Sequence, residues 1–151
     1  MRIVRDDLTD PQVIALLDLH VRAALDNSPP GAAFVLDLSG LRDPAVTLWS
    51  AWDGVALLGL VALKELDAGQ GEVKSMRTAP GHVRKGVAAA MLTHLIAEAR
   101  ARGYRRLNLE TGTGDAFAPA RALYERTGFA PCGPFGDYAL TEFNKCYAME
   151  L

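Results

Sequence analysis

Few residues of this chain can ligate a metal ion or form a disulfide. The 151 residues include only two cysteines, Cys132 and Cys146, and three histidines. The cysteines lack C-x-x-C spacing, and two thiols in a chain long enough to bury a core are more typical of reduced residues than of a disulfide. The histidines are far apart in the sequence and form no H-x-x-x-H pair. We therefore expect no metal site and no disulfide framework.

A large net charge and a long hydrophobic run are also missing. The 16 basic and 18 acidic residues leave a net charge of −2, which predicts no general attraction to nucleic acid or to an anionic membrane. No apolar run reaches the roughly 20 residues that cross a bilayer. The acidic start, MRIVRDDLTD, lacks the basic end and apolar core of a signal peptide. We expect a cytoplasmic protein with no nucleic-acid or membrane partner.

The chain does have enough hydrophobic residues for one core. Half of its residues are hydrophobic, and this length is typical of a single domain, here residues 1–151. Apolar spacing and turn residues predict the elements: a helix over 11–26, a short helix and loop within 34–46, strands over 47–52 and 55–64 joined by a turn at Asp53-Gly54, a turn over 65–71, a strand over 72–78, a helix over 87–102, a strand over 107–111, a helix over 118–127, a strand or loop over 130–140 and a closing strand over 143–151. Trp49 and Trp52 lie on opposite faces of their strand, and we expect one in the core and one on the surface.

The strand over 72–78 and the strand over 107–111 are connected through a helix. Such a connection predicts a parallel pair with a right-handed crossover, which places the helix N-terminus at the carboxyl edge of the sheet. Ligands of α/β proteins bind at that edge.

The turn before this helix is suited to an anion. Gly86 lies between Lys85 and the small residues that open the helix, so the free N–H groups of the first helical turn are not screened by large side chains. These groups and the helix dipole attract phosphate, and Arg84 adds a further positive charge. The turn is not a P-loop, because Lys85 precedes the glycine and no hydroxyl follows it. Alone, the motif is also compatible with an ordinary helix start.

From about Thr47 to Leu151 the chain resembles the GNAT superfamily of acyl-CoA-dependent N-acetyltransferases. The resemblance rests on the stretch SMRTAPGHVRKGVAAA, on the pyrophosphate turn within it, and on the A-x-x-L-Y-x-x-x-G-F helix from Ala120 to Phe129. In the turn, Val83 replaces the usual Gln or Arg. The resemblance implies a bacterial-type single-domain member with an α/β fold, in which a mixed, mostly antiparallel sheet has helices on both faces and a parallel strand pair around the cofactor helix.

The resemblance also implies roles for individual residues. The thioester carbonyl of acetyl-CoA is expected to bond to the backbone N–H of Met76, with Arg77 and Thr78 continuing the pantetheine contacts. The pyrophosphate is expected on the turn formed by Val83, Arg84, Lys85, Gly86, Val87 and Ala88. Tyr124 is expected to protonate the departing thiolate, because its motif places the hydroxyl near the coenzyme sulfur.

The acceptor is expected to be a primary amine of a small molecule or peptide, attacking directly in a ternary complex. An alkylammonium has a pKa near 10.4, so a base must assist. Glu72 matches the base of the histone-acetylating branch, and Glu110 is a second candidate at the same edge of the sheet. Pairing of Glu72 with Lys74 is an equally good structural interpretation. A homodimer is common among relatives. The alternative function is a catalytically silent acyl-CoA sensor or interaction module on the same fold.

Overall fold

The structure, a computed structural model, describes all residues from Met1 to Leu151. Its strands are β1 (Arg2–Arg5), β2 (Val46–Asp53), β3 (Ala56–Asp67), β4 (Gln70–Thr78), β5 (Arg106–Gly112), β6 (Ala130–Cys132) and β7 (Asn144–Glu150). Its helices are α1 (Pro11–Asp26), α2 (Leu38–Leu41), α3 (Val87–Ala101) and α4 (Ala118–Thr127), with a 3-10 turn over Asp115–Phe117. No helix combines the length and apolar character needed to cross a bilayer.

All seven strands form one mixed sheet in the order β1-β2-β3-β4-β5-β7-β6. Only β4 and β5 run parallel, and every other neighbouring pair is antiparallel. The mixed, mostly antiparallel sheet and the parallel pair around the third helix are as expected. Helices α1 and α3 begin and end close to the predicted residues. Asp10 caps the start of α1 by accepting a hydrogen bond from the Gln12 N–H, and Gly103 follows the end of α3 with a φ of +80°.

The sheet is covered on both faces. Helices α3 and α4 pack on one face with Trp49, and α1 and α2 pack on the other with Trp52. We call these the α3 face and the α1 face. The two tryptophans do lie on opposite faces, but the expectation that one is exposed is wrong, since both are buried. The α1 packing that buries Trp52 is a tertiary effect, invisible in the alternation of a single strand.

The chain also contains a strand that the sequence did not predict. The β1 strand pairs with the edge of β2, although its four residues carry an arginine at each end. A strand this short has little pattern of its own and forms because β2 supplies its hydrogen-bond partners.

The region after α4 contains only the short strand β6, and the rest of 130–140 is loop. Cys132 and Cys146 are free thiols directly opposite each other across β6 and β7.

Strands β4 and β5 stay paired over a short distance. Gln70 to Glu72 pair with Arg106 to Asn108, and no registered pair follows. The buried Asn108 amide donates to the Gly71 carbonyl oxygen at 3.2 Å and fixes the last joined position. Beyond this point the strands separate.

A bulge in β4 accompanies the separation. Leu60 pairs with Arg77 and Ala62 with Lys74, so β4 has one more residue than β3 in this interval. Ser75 lies within it with a φ of +53°, a left-handed conformation that is costly for a residue with a side chain. Bulges bend a strand and increase its twist. This one turns the end of β4 away from β5 and opens a cleft in the sheet.

Close packing of β3 against β4 gives a testable consequence. A Cβ built on Gly59 lies 2.8 Å from the carbonyl oxygen of Arg77 and 2.8 Å from the Cε of Met91. We expect Gly59→Ala to lower the free energy of unfolding by about 1–3 kcal/mol, as for other overpacked sites, in urea denaturation. Gly133→Ala is the control, because Gly133 has no heavy atom within 4 Å of its Cβ position. Equal stability of the two variants would contradict this packing.

Candidate active site

The separated ends of β4 and β5 border a pocket. Its volume is about 320 Å³, within the usual range for small-molecule sites. Residues of β4 and β5 form its sides, and α1, the segment 32–35, the 3-10 turn and α4 close it. The cleft therefore passes through the sheet and is lined from both faces.

Tyr124 and Met76 line the part of the pocket on the α3 face. Tyr124 is buried on α4 and its ring packs against Phe129 and Tyr147, with centroids 6.0 and 6.5 Å away. Met76 packs against the hydrophobic cluster of the same face. Burial raises the pKa of Tyr124 to about 12. The phenol therefore keeps its proton at neutral pH and can donate a hydrogen bond into the cleft.

The predicted pyrophosphate turn leads into α3 on this same face. Gly86 is the N-cap of α3 with a φ of +80°, and no side chain caps the helix. The first turn of α3 also contains no acidic residue. Arg84, Lys85 and Gly86 are exposed, and a Cβ at Gly86 would meet no atom within 4 Å. The free N–H groups of the helix are thus open to an anion and flanked by two cations.

Val87 and Ala88 form the first turn of α3, and Val83 precedes it. Val87 is buried and anchors the helix to the sheet, whereas Val83 is 58% exposed on the loop. Thr78 ends β4 just before this loop. The turn residues and the β4 residues Met76 to Thr78 therefore follow one another along the chain from the cleft to the helix N-terminus.

Glu110 is the carboxylate that lines the pocket. It follows Leu109 on β5, whose side chain packs into the α3 face, so the Glu110 side chain is on the α1 face. Burial raises the pKa of Glu110 to about 6, and the nearby Glu72 carboxylate acts in the same direction, while Asn144 and Lys74 partly oppose the shift. A carboxylate with this pKa is largely ionised at neutral pH yet more basic than a solvated one.

Glu72, the first base candidate, does not line the pocket. Its side chain is 3% exposed, and its Oε2 accepts a hydrogen bond from the Tyr138 hydroxyl at 2.7 Å and lies 3.4 Å from the Lys74 Nζ. Lys74 Nζ also donates to the Tyr138 hydroxyl at 2.8 Å and to the Phe34 carbonyl oxygen at 3.3 Å. We call Glu72, Lys74 and Tyr138 the buried cluster. It joins β4 to two loops.

The buried cluster fixes one wall of the pocket. The Tyr138 ring packs edge-to-face against Phe34 and Phe135, with centroids 5.3 and 5.0 Å away. Burial and the Glu72 carboxylate raise the pKa of Tyr138, so this hydroxyl remains a donor. No sequence pattern points to Tyr138, which lies in a loop that contains glycine and proline.

His20 on α1 is another pocket residue that the sequence analysis did not single out. Its Nδ1 is buried without a hydrogen-bond partner. Burial, together with the positive charges of Arg77 and Lys74, lowers the pKa of His20 to about 4. The imidazole is therefore neutral at neutral pH. Its only sequence signal is a polar residue on the otherwise apolar stripe of α1.

Comparison with known proteins identifies the family. Residues 10–129 match the model of the Acetyltransferase (GNAT) family, and the chain belongs to this family. The protein named "Uncharacterized N-acetyltransferase YsnE" of Bacillus subtilis is 53% identical over 138 residues, which cover 91% of each chain. "Uncharacterized N-acetyltransferase YedL" of Escherichia coli is 47% identical over 146 residues, which cover 97% of this chain and 92% of the relative. The protein is therefore an acetyl-CoA-dependent acyltransferase.

Solved structures share the fold. A Klebsiella pneumoniae structure whose name places it among the acyl-CoA N-acyltransferases superposes with a TM-score of 0.82 at 27% identity, covering 99% of this chain and 97% of the other. A Bacillus subtilis acetyltransferase in complex with CoA superposes with a TM-score of 0.75 at 17% identity, covering 99% and 98%. The predicted fold class is confirmed. Within the protein, no cluster of His, Cys, Asp or Glu is arranged to hold a metal ion.

The raised pKa of Glu110 predicts a pH-dependent effect on stability. The folded state holds this proton up to about pH 6, whereas the unfolded chain releases it near 4.5. The carboxyl therefore favours the fold below pH 4.5, and this contribution is lost as the pH rises through 6. We expect Glu110→Gln to raise the free energy of unfolding at pH 7 by on the order of 1 kcal/mol. The gain should vanish at pH 4.5 in urea denaturation. A gain independent of pH would contradict the shift.

Proposed function

We propose that the protein transfers the acetyl group of acetyl-CoA to a primary amine of a small molecule or peptide. The amine attacks the thioester directly while both substrates are bound. The observation that carries this proposal is the cleft through the sheet. It has an anion-binding helix end and Tyr124 on the α3 face and the Glu110 carboxylate on the α1 face. Donor and acceptor can therefore enter from opposite faces and meet between β4 and β5.

The donor half fits acetyl-CoA through backbone groups. The N-terminus of α3, with Arg84 and Lys85 beside it, matches the charge of a pyrophosphate. The end of β4 has lost its partner β5, so Met76, Arg77 and Thr78 present an unpaired strand edge to the pantetheine amides. The relatives named as N-acetyltransferases and the related structure with CoA support this assignment. Exposed Val83 contributes little to it beyond its backbone.

Glu110 is the proposed base. An amine of pKa 10.4 is neutral in only about one molecule in 2,500 at pH 7, a deficit of roughly 4.6 kcal/mol. A carboxylate of pKa about 6 that lines the pocket can accept the ammonium proton, directly or through water, as the nitrogen attacks. Glu72 is the weaker candidate, because its Oε2 is already shared by Tyr138 and Lys74. We propose that Glu72 instead positions the two loops that the buried cluster joins to β4.

Tyr124 is the proposed partner of the leaving sulfur. Full transfer of its proton to a thiolate of pKa near 8.5 is uphill, since the phenol has a pKa of about 12. A hydrogen bond from the phenol to the developing thiolate requires no complete transfer and stabilises the charge as it forms. Tyr124 thus acts as a fixed donor, and solvent supplies the final proton.

Two further features stay predictions. The cytoplasmic location is expected from the composition, and the homodimer is expected because dimers are common among relatives. The alternative of a catalytically silent acyl-CoA sensor is not favoured, because a pocket carboxylate and the buried tyrosine both border the cleft. The names of the relatives also point to turnover.

Substitution at Gly86 tests the donor site. We expect acetyl-CoA at about a hundred times its Kd to stabilise the wild-type protein by about 2.7 kcal/mol, several degrees in Tm. Gly86→Glu should weaken acetyl-CoA binding about tenfold relative to Gly86→Gln, measured by calorimetry at low salt. Both variants bear the same strain at φ +80°, but only the glutamate repels phosphate. Equal affinities, or no wild-type shift, would contradict the site.

The pH dependence of turnover separates the roles of Glu110 and Tyr124. We expect kcat/KM for a good acceptor to rise with pH through an inflection near 6. Glu110→Gln should remove this inflection. Tyr124→Phe should keep it and lower kcat about tenfold to hundredfold at every pH, with little change in the Kd of acetyl-CoA. The roles would be disproved by an inflection that survives in Glu110→Gln, or by a Tyr124→Phe loss confined to acetyl-CoA affinity.

A further inference from the structure

Arg77 is a cation without an acidic partner in the acceptor half of the cleft. Its cross-strand neighbour is Leu60, a residue of the α1-face core, so the Arg77 side chain also lies on the α1 face. Arg77 lines the pocket, yet its guanidinium takes part in none of the ion pairs of the protein. A guanidinium carries five N–H donors suited to a carboxylate, so Arg77 has unused binding capacity.

The other charged groups of this half leave Arg77 uncompensated. Lys74 also lies on the α1 face, but its ammonium is paired with Glu72 inside the buried cluster. His20 is neutral, as described above, and lines the same pocket, and its buried Nδ1 has no hydrogen-bond partner. Glu110 is the remaining carboxylate, and it is the group proposed to receive the amine. The acceptor half thus contains one site for an ammonium and one free site for an anion.

We infer that the acceptor carries a carboxylate close to its amine, as an amino acid does, and that Arg77 binds this carboxylate with His20 as a second donor. The inference rests on the proposed function and names its substrate class. In such a complex the guanidinium makes a two-pronged contact with the carboxylate, the imidazole Nδ1–H donates to it, and the amine is turned toward Glu110. The remaining pocket wall is formed by Phe34, Val35 and alanines of α1, which suits a small or apolar side chain.

This role differs from the one that the family resemblance implies for Arg77. The backbone of Arg77 can still border the pantetheine, since backbone and side chain are different groups. The side chain, however, lies on the face opposite to α3 and its phosphate-binding end. Removing the guanidinium should therefore weaken binding of the acceptor and leave binding of acetyl-CoA unchanged.

The test compares acceptors that differ only in the carboxylate. CoA release is measured with phenylalanine, phenylalaninamide and phenethylamine, and with the matching leucine and methionine sets. For at least one set we expect kcat/KM of the wild type to favour the carboxylate by about tenfold to hundredfold. The amides are a stringent control, because their less basic amines are more often unprotonated and so intrinsically more reactive.

Substitutions then assign the preference to Arg77. Arg77→Met should reduce the preference to less than about threefold, mainly through KM, and Arg77→Lys should restore part of it. The Kd of acetyl-CoA should be unchanged. Arg22→Met is the control, because Arg22 lies on α1 with an exposed side chain paired to Asp18, and it should keep the full preference.

Binding of reaction products gives a readout that does not need turnover. In the presence of CoA, wild type should bind N-acetylphenylalanine more tightly than N-acetylphenethylamine in ligand-observed NMR, and Arg77→Met should not. The inference is overturned if the wild-type protein shows neither a kinetic nor a binding preference for the carboxylate. It is also overturned if Arg77→Met weakens acetyl-CoA binding instead. If only amines without a carboxylate are acetylated, the inference is overturned and the proposed function stands. If acetyl-CoA does not bind, both are overturned.

Discussion

The separation of β4 from β5 is the constraint on which the site depends. A parallel pair that stayed joined to its end would satisfy its own backbone groups and leave no opening. Here pairing stops after Glu72 and Asn108, and the Ser75 bulge turns β4 away. Unpaired strand edges are costly when buried, so this backbone is stable only if something else satisfies it. An extended ligand with amides of its own is the natural substitute for the missing strand.

The two carboxylates near the cleft have different properties because their surroundings differ. Glu72 and Glu110 lie on neighbouring strands and on the same face. Glu72 is held by a lysine and a tyrosine, which makes it part of the wall. Glu110 lacks a full ion pair and is only partly solvated, which raises its pKa toward neutrality. A buried ion pair is costly to assemble, and its value here is the fixed position of two loops rather than net stability.

Sequence patterns predicted the helices and the main strands, because each depends on local periodicity, caps or glycine. They did not give β1 or the burial of Trp52, since both need a partner distant in the chain. They also left the choice between Glu72 and Glu110 open. That choice depends on the Tyr138 hydroxyl, 66 residues from Glu72, and on strand register. His20 was missed because one polar residue on an apolar helix face has many explanations.

The two halves of the cleft are built from different parts of the chain. The proposed donor half uses main-chain groups at the end of β4 and at the start of α3, which tolerate exchange of side chains. The proposed acceptor half uses side chains from α1, the segment 32–35 and the α1 face of the sheet. Mutations in those segments can therefore alter which compound is modified while the coenzyme remains bound. The architecture separates the part that must stay constant from the part that is free to diversify.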